Sequence, residues 1–318
     1  GALVYIAAGV SEMTTPRELL WVDRDGREEP TGAPVRAYGT PRLSPDGTRV
    51  AAEVYADNTD IWIWDFAQET LRRLTFDAAG DGMAVWTPDS RQIIFQSGRN
   101  TFSNVYQQAA DGTGTVDRLS PNATPQWSTS ITPDGAWLAG FDLVPKSVPH
   151  IFFLRPDASP SVSSTVEPLA ETRFPGAMAD FSSDGRYIAY QSEESGRTEI
   201  YVRPFPEVNN GRWQVSTAGG TRPVWAESGR ELFYLDASNA LTVVPVATFG
   251  PTISFGSPTK LFDTPYAEPN PSRHYDVSAD GQRFLMLKPS AGGPNAAPLS
   301  MILVEHWFEE LKQRVNGE

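Results

Sequence analysis

Ser44-Pro45-Asp46-Gly47, followed by Arg49-Val50-Ala51-Ala52-Glu53-Val54, decides the fold. A type I turn favours Ser at its first position, Pro at its second and Gly at its fourth, so this tetrapeptide joins two antiparallel strands. The pattern recurs. Thr87-Pro88-Asp89-Ser90 precedes Gln92-Ile93-Ile94-Phe95, and Thr132-Pro133-Asp134-Gly135 precedes Trp137-Leu138-Ala139-Gly140-Phe141. Ser182-Ser183-Asp184-Gly185, Ala226-Glu227-Ser228-Gly229 and Ser278-Ala279-Asp280-Gly281 complete the set, each followed by a strand-like run. The interval is roughly 43 to 53 residues, close to that of a propeller blade. The acidic residues of these turns therefore have a structural role and are not candidate catalytic carboxylates.

Outward from each hairpin the sequence supplies two more short strands. Ile61-Trp62-Ile63-Trp64-Asp65 leads to Leu71-Arg72-Arg73-Leu74, and Glu199-Ile200-Tyr201-Val202 leads to Trp213-Gln214-Val215-Ser216. Four short strands per repeat, rich in β-branched and aromatic residues, describe a blade. The expected fold is all-β: a β-propeller of four-stranded antiparallel blades forming one domain over residues 1–318. Terminal strands from 1–35 and 273–306 are expected to close the ring.

Leu3–Ala8, Leu19–Asp23 and Glu28–Gly32 read as the second, third and fourth strands of a further blade. The last repeat supplies His274–Ser278, Arg283–Lys288 and Met301–Glu305. Six turn repeats plus the N-terminal piece give seven blades, or six if the terminal pieces merge. Val304, Trp307, Phe308, Leu311 and Val315 have helical spacing, which predicts a short C-terminal helix over 304–315 packed on the rim.

Composition narrows the function classes. The 318 residues hold 40% hydrophobic and 11% aromatic side chains, enough for a sizeable core. No run reaches the ~18 apolar residues of a membrane span. The opening Gly1-Ala2-Leu3-Val4-Tyr5 has no basic segment or cleavage site, so no signal peptide is expected in this chain, and an excised domain would read the same way. There is no cysteine, which excludes disulfides and thiolate metal sites. The formal net charge of −13 disfavours nucleic acid and anionic membranes and leaves basic partners or cations compatible.

Further segments carry a resemblance. Leu20-Trp21-Val22-Asp23-Arg24-Asp25-Gly26, Asp60-Ile61-Trp62, Ser195-Gly196-Arg197-Thr198-Glu199-Ile200-Tyr201-Val202-Arg203-Pro204-Phe205-Pro206, Gln214-Val215-Ser216-Thr217-Ala218-Gly219-Gly220 and the closing Trp307-Phe308-Glu309-Glu310-Leu311 look like TolB-type WD-like repeat propellers. More narrowly, they resemble the C-terminal propeller region of bacterial receptor-type serine/threonine protein kinases. The resemblance covers essentially the whole chain. It implies an extracytoplasmic sensory, scaffolding or protein-binding module, part of a larger receptor or envelope protein. The chain itself has no kinase Gly-rich loop and no His-Arg-Asp motif.

Catalytic signals are poor. There is no Gly-x-Ser-x-Gly elbow. His150, His274 and His306 form no pair with metal-ligand spacing. Asp23-Arg24-Asp25-Gly26 resembles the start of a calcium loop but lacks its later ligands and follows a strand, so it reads as a hairpin turn. No cofactor, metal or catalytic residue is assigned. The reading is a noncatalytic module with a protein or peptide partner. The alternatives are a lyase or hydrolase working at the channel mouth and the regulatory domain of a peptidase.

One column of residues points to a site. Arg42, Val85, Ser130, Asp180, Val224 and Asp276 occupy equivalent places in the first strand of each repeat, the strand that lines a propeller's axis. Charge there needs a partner or water. Arg42, Asp180 and Asp276 are therefore the candidate binding residues, set against a plain structural network of ion pairs and water. Two carboxylates with one arginine leave surplus negative charge, which suits a small ligand, a cation or a basic side chain in the central channel.

Overall fold

The computed structural model describes residues 2–6, 14–120, 124–143, 148–156, 167–169, 174–249, 252–264, 272–290 and 301–305. Among them there is no α-helix. The chain opens with β1 (Ala2–Ile6), β2 (Arg17–Asp23) and β3 (Glu28–Pro30). The first blade is β4 (Tyr38–Leu43), β5 (Arg49–Tyr55), β6 (Thr59–Asp65) and β7 (Thr70–Arg73). The second is β8 (Asp81–Trp86), β9 (Gln92–Ser97), β10 (Asn104–Ala109) and β11 (Asp117–Arg118). The third is β12 (Gln126–Ile131), β13 (Leu138–Asp142), β14 (His150–Leu154) and β15 (Glu167–Pro168). The fourth is β16 (Gly176–Phe181), β17 (Tyr187–Ser192), β18 (Glu199–Pro204) and β19 (Trp213–Gln214). The fifth is β20 (Gly220–Trp225), β21 (Glu231–Asp236), β22 (Ala240–Phe249) and β24 (Thr259–Asp263), with β23 (Thr252–Phe255) paired to the far end of β22.

The sixth blade corrects the count of seven. The last repeat supplies only β25 (Tyr275–Val277) and β26 (Arg283–Pro289), and β2 and β3 add to them in the order β25-β26-β2-β3. Without β2, β26 would present an open row of backbone donors and acceptors. The N-terminal piece fills that edge, pairing Trp21 with Leu285 and Asp23 with Arg283, instead of founding a seventh blade. Leu3–Ile6 and Met301–Glu305 are not blade strands either. β1 and β27 (Met301–Glu305) pair with each other as a separate antiparallel ribbon. The helix expected over 304–315 lies outside the described residues, except for Val304 and Glu305, which end β27.

Both faces of every blade are buried, which is why its strands read as runs of apolar residues. In β2, Leu20 and Val22 pack toward the fifth blade while Leu19 packs toward the first. Six apolar clusters result, one at each junction between neighbouring blades, so the ring closes through core packing at every step.

The hairpins between first and second strands share one device in every blade but the fifth. Gly47 N–H donates to the Ser44 carbonyl at 2.7 Å, closing the turn. Ser44 Oγ donates to Asp46 Oδ1 at 2.6 Å, and that oxygen also accepts the Thr48 N–H at 3.0 Å. Thr87–Asp89, Thr132–Asp134, Ser182–Asp184 and Ser278–Asp280 repeat the contact at 2.5–2.7 Å. Ser90 takes the glycine place in the second blade at φ 59°. These five turns place their aspartates on one face of the ring.

Candidate functional site

Each first strand has a sheet partner on one side only. Its axis-facing backbone groups must be satisfied some other way. The column picked out in the sequence does much of this across blade boundaries. Ser130 Oγ accepts the Phe181 N–H at 3.1 Å, Asp180 Oδ2 accepts the Trp225 N–H at 2.9 Å, and Asp276 Oδ2 accepts the Leu43 N–H at 2.8 Å. Each bond runs from one blade to the inner strand of the next.

The other junctions have their own bridges. Glu53 Oε1 accepts the Met83 N–H at 2.7 Å, and Trp86 Nε1 donates to the Arg42 carbonyl at 3.0 Å. Ser128 Oγ donates to the Met83 carbonyl at 2.8 Å, and Tyr275 donates its hydroxyl to the Arg222 carbonyl at 2.7 Å. Glu53 leaves so little room that a Cβ on Gly82 would sit 2.6 Å from its Oε1. The inner strands bulge two residues before the column position. Thr40, Met83, Met178 and Arg222 stand there with φ between 25° and 56°. Such conformations cost about 1–3 kcal/mol each and persist because neighbouring contacts over-determine them.

Inside this frame lies an axial cavity of roughly 210 Å³, open on the face that carries the Asp turns and lined by side chains from all six blades. Arg42, Asp180 and Asp276 all line it, together with Val85, Ser130 and Val224. The structure also brings in Arg273, which the sequence reading missed. Its Nη1 lies 3.1 Å from Asp180 Oδ1 and its Nη2 lies 3.2 Å from Asp276 Oδ1. Arg273 stands two residues before the blade's first strand, outside the register that revealed the column. Its one sequence signal is a charge three residues from Asp276.

Arg273 changes the electrostatics. Two arginines face two aspartates in the interior, which balances the charge there and leaves Glu227 as the further carboxylate at the lip. Burial pushes the Asp180 carboxyl above the ordinary carboxylate range, although Arg273 and the Trp225 N–H pull it down. Arg273 is held above its ordinary value because Asp276 and Asp180 outweigh its burial. The three form a closed ion-pair network, Arg273 bridging the two aspartates.

Arg42 is different. It is 4% exposed, and its Nη1 donates to two backbone carbonyls, Pro41 at 3.0 Å and Arg273 at 3.2 Å. Burial lowers it to about 9; the Arg273 charge adds to that, and Asp276, Asp180 and Glu53 oppose it. At the lip, Glu227 is pushed up by burial and by Asp180.

The remaining candidates from sequence fall elsewhere. Asp23–Gly26 is the β2–β3 hairpin, closed by Gly26 N–H donating to the Asp23 carbonyl at 3.0 Å. His150 opens β14, His274 is buried beside the sixth blade's first strand, and His306 lies outside the described residues. Among the described residues no group of three or more His, Cys, Asp or Glu is placed to hold a metal ion. No helix among them is long and apolar enough to cross a membrane.

Residues 8–148 match a family model described as PD40, the TolB β-propeller domain. The Tol-Pal system protein TolB of Francisella tularensis subsp. holarctica (strain OSU18) is 30% identical over 142 residues, 39% of this chain and 32% of the relative. The match thus spans about a third of that relative's length. A structure described as a TolB from Agrobacterium tumefaciens superposes with a TM-score of 0.65 at 15% identity, covering 88% of this chain and 100% of that one. An oligogalacturonate lyase in complex with manganese superposes with a TM-score of 0.52 at 13% identity, over 89% and 98% of the two chains. At these identities both structures speak to fold alone.

Proposed function

We propose that this TolB-like β-propeller is a noncatalytic binding and scaffolding module that takes a protein or peptide partner at the mouth of its axial channel. The observation that carries the reading is the cavity shared by all six blades and open on the Asp-turn face. A ring sealed by apolar packing at each junction is a rigid platform. The hairpins around the mouth present short, fixed loops, which cost little ordering entropy when a partner docks.

The likeness to a Tol-Pal system protein supports an extracytoplasmic place within an envelope assembly. The net charge of −13 is a further reason to assign a polypeptide partner and not nucleic acid. The narrower reading, a sensory propeller of a receptor-type kinase, rests on Leu20–Gly26 and Ser195–Pro206. A full-length transcript carrying an upstream kinase segment would support it.

The test is affinity capture from the source organism's envelope with mass-spectrometric identification, run with the natural protein and with an Ala279→Arg variant that crowds the mouth. A partner retained by the first and lost by the second supports the reading. Equal retention by both moves the binding surface elsewhere.

A further inference from the structure

Resting on that reading, we propose that the axial cavity recognises a carboxylate of the partner polypeptide, held by the guanidinium of Arg42. Both carboxylates that line the cavity's interior are committed: Asp180 and Asp276 share Arg273 and each also accepts a backbone N–H from the next blade. Arg42 has no such partner. Among the described residues no carboxylate lies within 4.0 Å of it.

The guanidinium uses one terminal nitrogen, Nη1, for two backbone carbonyls. Its Nε is buried without a hydrogen bond, and Nη2 makes none among the described residues. A buried cation left this way is costly, and a group so placed calls for an explanation. The side chain is fixed by the Pro41 and Arg273 carbonyls, so it is already in place for a ligand. A carboxylate entering from the Asp-turn face would meet a preorganised donor in a low-dielectric pocket, where charge-assisted hydrogen bonds are strongest. The volume of roughly 210 Å³ suits an acidic side chain or a chain terminus and excludes a folded element. Exposed Glu227 at the lip opposes anions. The fit is therefore specific to the pocket's interior and is not a general attraction.

The experiment is a titration of the isotope-labelled protein followed by the arginine Nε–Hε nuclear magnetic resonance signals. Three probes are used: acetyl-Gly-Glu-Gly-amide, its Gln counterpart, and acetyl-Gly-Gly with a free C-terminal carboxylate. The expected result is a saturable shift of the Arg42 signal with at least one carboxylate probe and none with the Gln peptide. The probe that acts tells side chain from chain terminus. Arg42→Met abolishes the binding, and Glu227→Gln tightens it two- to threefold. If Arg42→Met fails to fold, Arg42→Lys takes its place and binds at least tenfold more weakly. An equal response to the Gln peptide, unchanged binding by either Arg42 variant, or no saturable response to any carboxylate overturns the inference. A partner captured at the mouth while no carboxylate probe binds leaves the proposed function standing and removes this site. Carboxylate binding with no captured partner does the reverse.

Discussion

The rim and the axis of this propeller hold the same side chain in opposite circumstances. Around the mouth, Asp46, Asp89, Asp134, Asp184 and Asp280 sit in water-facing turns, each accepting a hydroxyl and a backbone N–H within its own hairpin. At the axis, Asp180 and Asp276 reach across blade boundaries and share one arginine. The rim carboxyls are all held below their ordinary value. For Asp46 and Asp184, burial pushes upward but the hydrogen bonds win, bringing Asp46 to about 2. Asp180 goes the other way because burial wins. A carboxylate's role here is set by whether its partners are local or belong to the next blade.

The largest test of that contrast is Asp180→Ala. It strips Arg273 of one partner and orphans the Trp225 N–H inside a blade junction, a loss of about 3–5 kcal/mol in urea unfolding. Asp180→Asn keeps an acceptor for that N–H and should lose less, roughly 2 kcal/mol. Equal, small losses from both would mean the axial network is dispensable.

Next in size is the acid response. A carboxyl whose folded value lies below its unfolded one stabilises the fold above about pH 4 and loses that contribution as the pH falls through the folded value. The rim aspartates should therefore destabilise the protein on acidification from about pH 4 toward pH 2. Asp180, raised in the fold, contributes with the opposite sign. Asp180→Asn should thus steepen the acid loss read by denaturant midpoints against pH, and Asp134→Asn should flatten it.

A single rim change is smaller. Asp134→Ala removes two hydrogen bonds, one half-buried and one exposed, and should cost roughly 0.5–1 kcal/mol. Smallest is a gain. The fifth hairpin, Ala226-Glu227-Ser228-Gly229, lacks the Ser–Asp pair, and Ala226→Ser with Ser228→Asp should add about 0.5 kcal/mol by supplying it. A loss would show that Glu227 beside the new carboxylate outweighs the turn.

Much of this architecture was legible because it is local. The Ser-Pro-Asp-Gly turn states its own conformation, and its period counts the repeats. The column Arg42, Val85, Ser130, Asp180, Val224 and Asp276 followed from register within a strand, and all six residues line the cavity. What the sequence hid depends on contacts between distant segments. The blade count turns on β2 joining β26, with Asp23 paired to Arg283 at the far end of the chain, which no local pattern reports. Arg273 lies outside its strand, so register could not reveal that it reverses the charge balance of the site. The bulges at Thr40, Met83, Met178 and Arg222 carry none of the glycines that would announce a positive φ. Glu53 reads as one more strand residue until Gly82 is seen to make room for it.

Docking of a polypeptide partner at the Asp-turn mouth of the axial channel, as proposed, can be tested directly. The most direct measurement is site-specific photo-cross-linking, with a photoreactive residue placed at Ala279 on that mouth or at Leu143 on the opposite face. Each variant is exposed to the source organism's envelope proteins. The expected result is a discrete adduct from position 279 and none from position 143, with the adduct's yield falling when a carboxylate probe occupies the channel. Adducts from position 143 alone would contradict it.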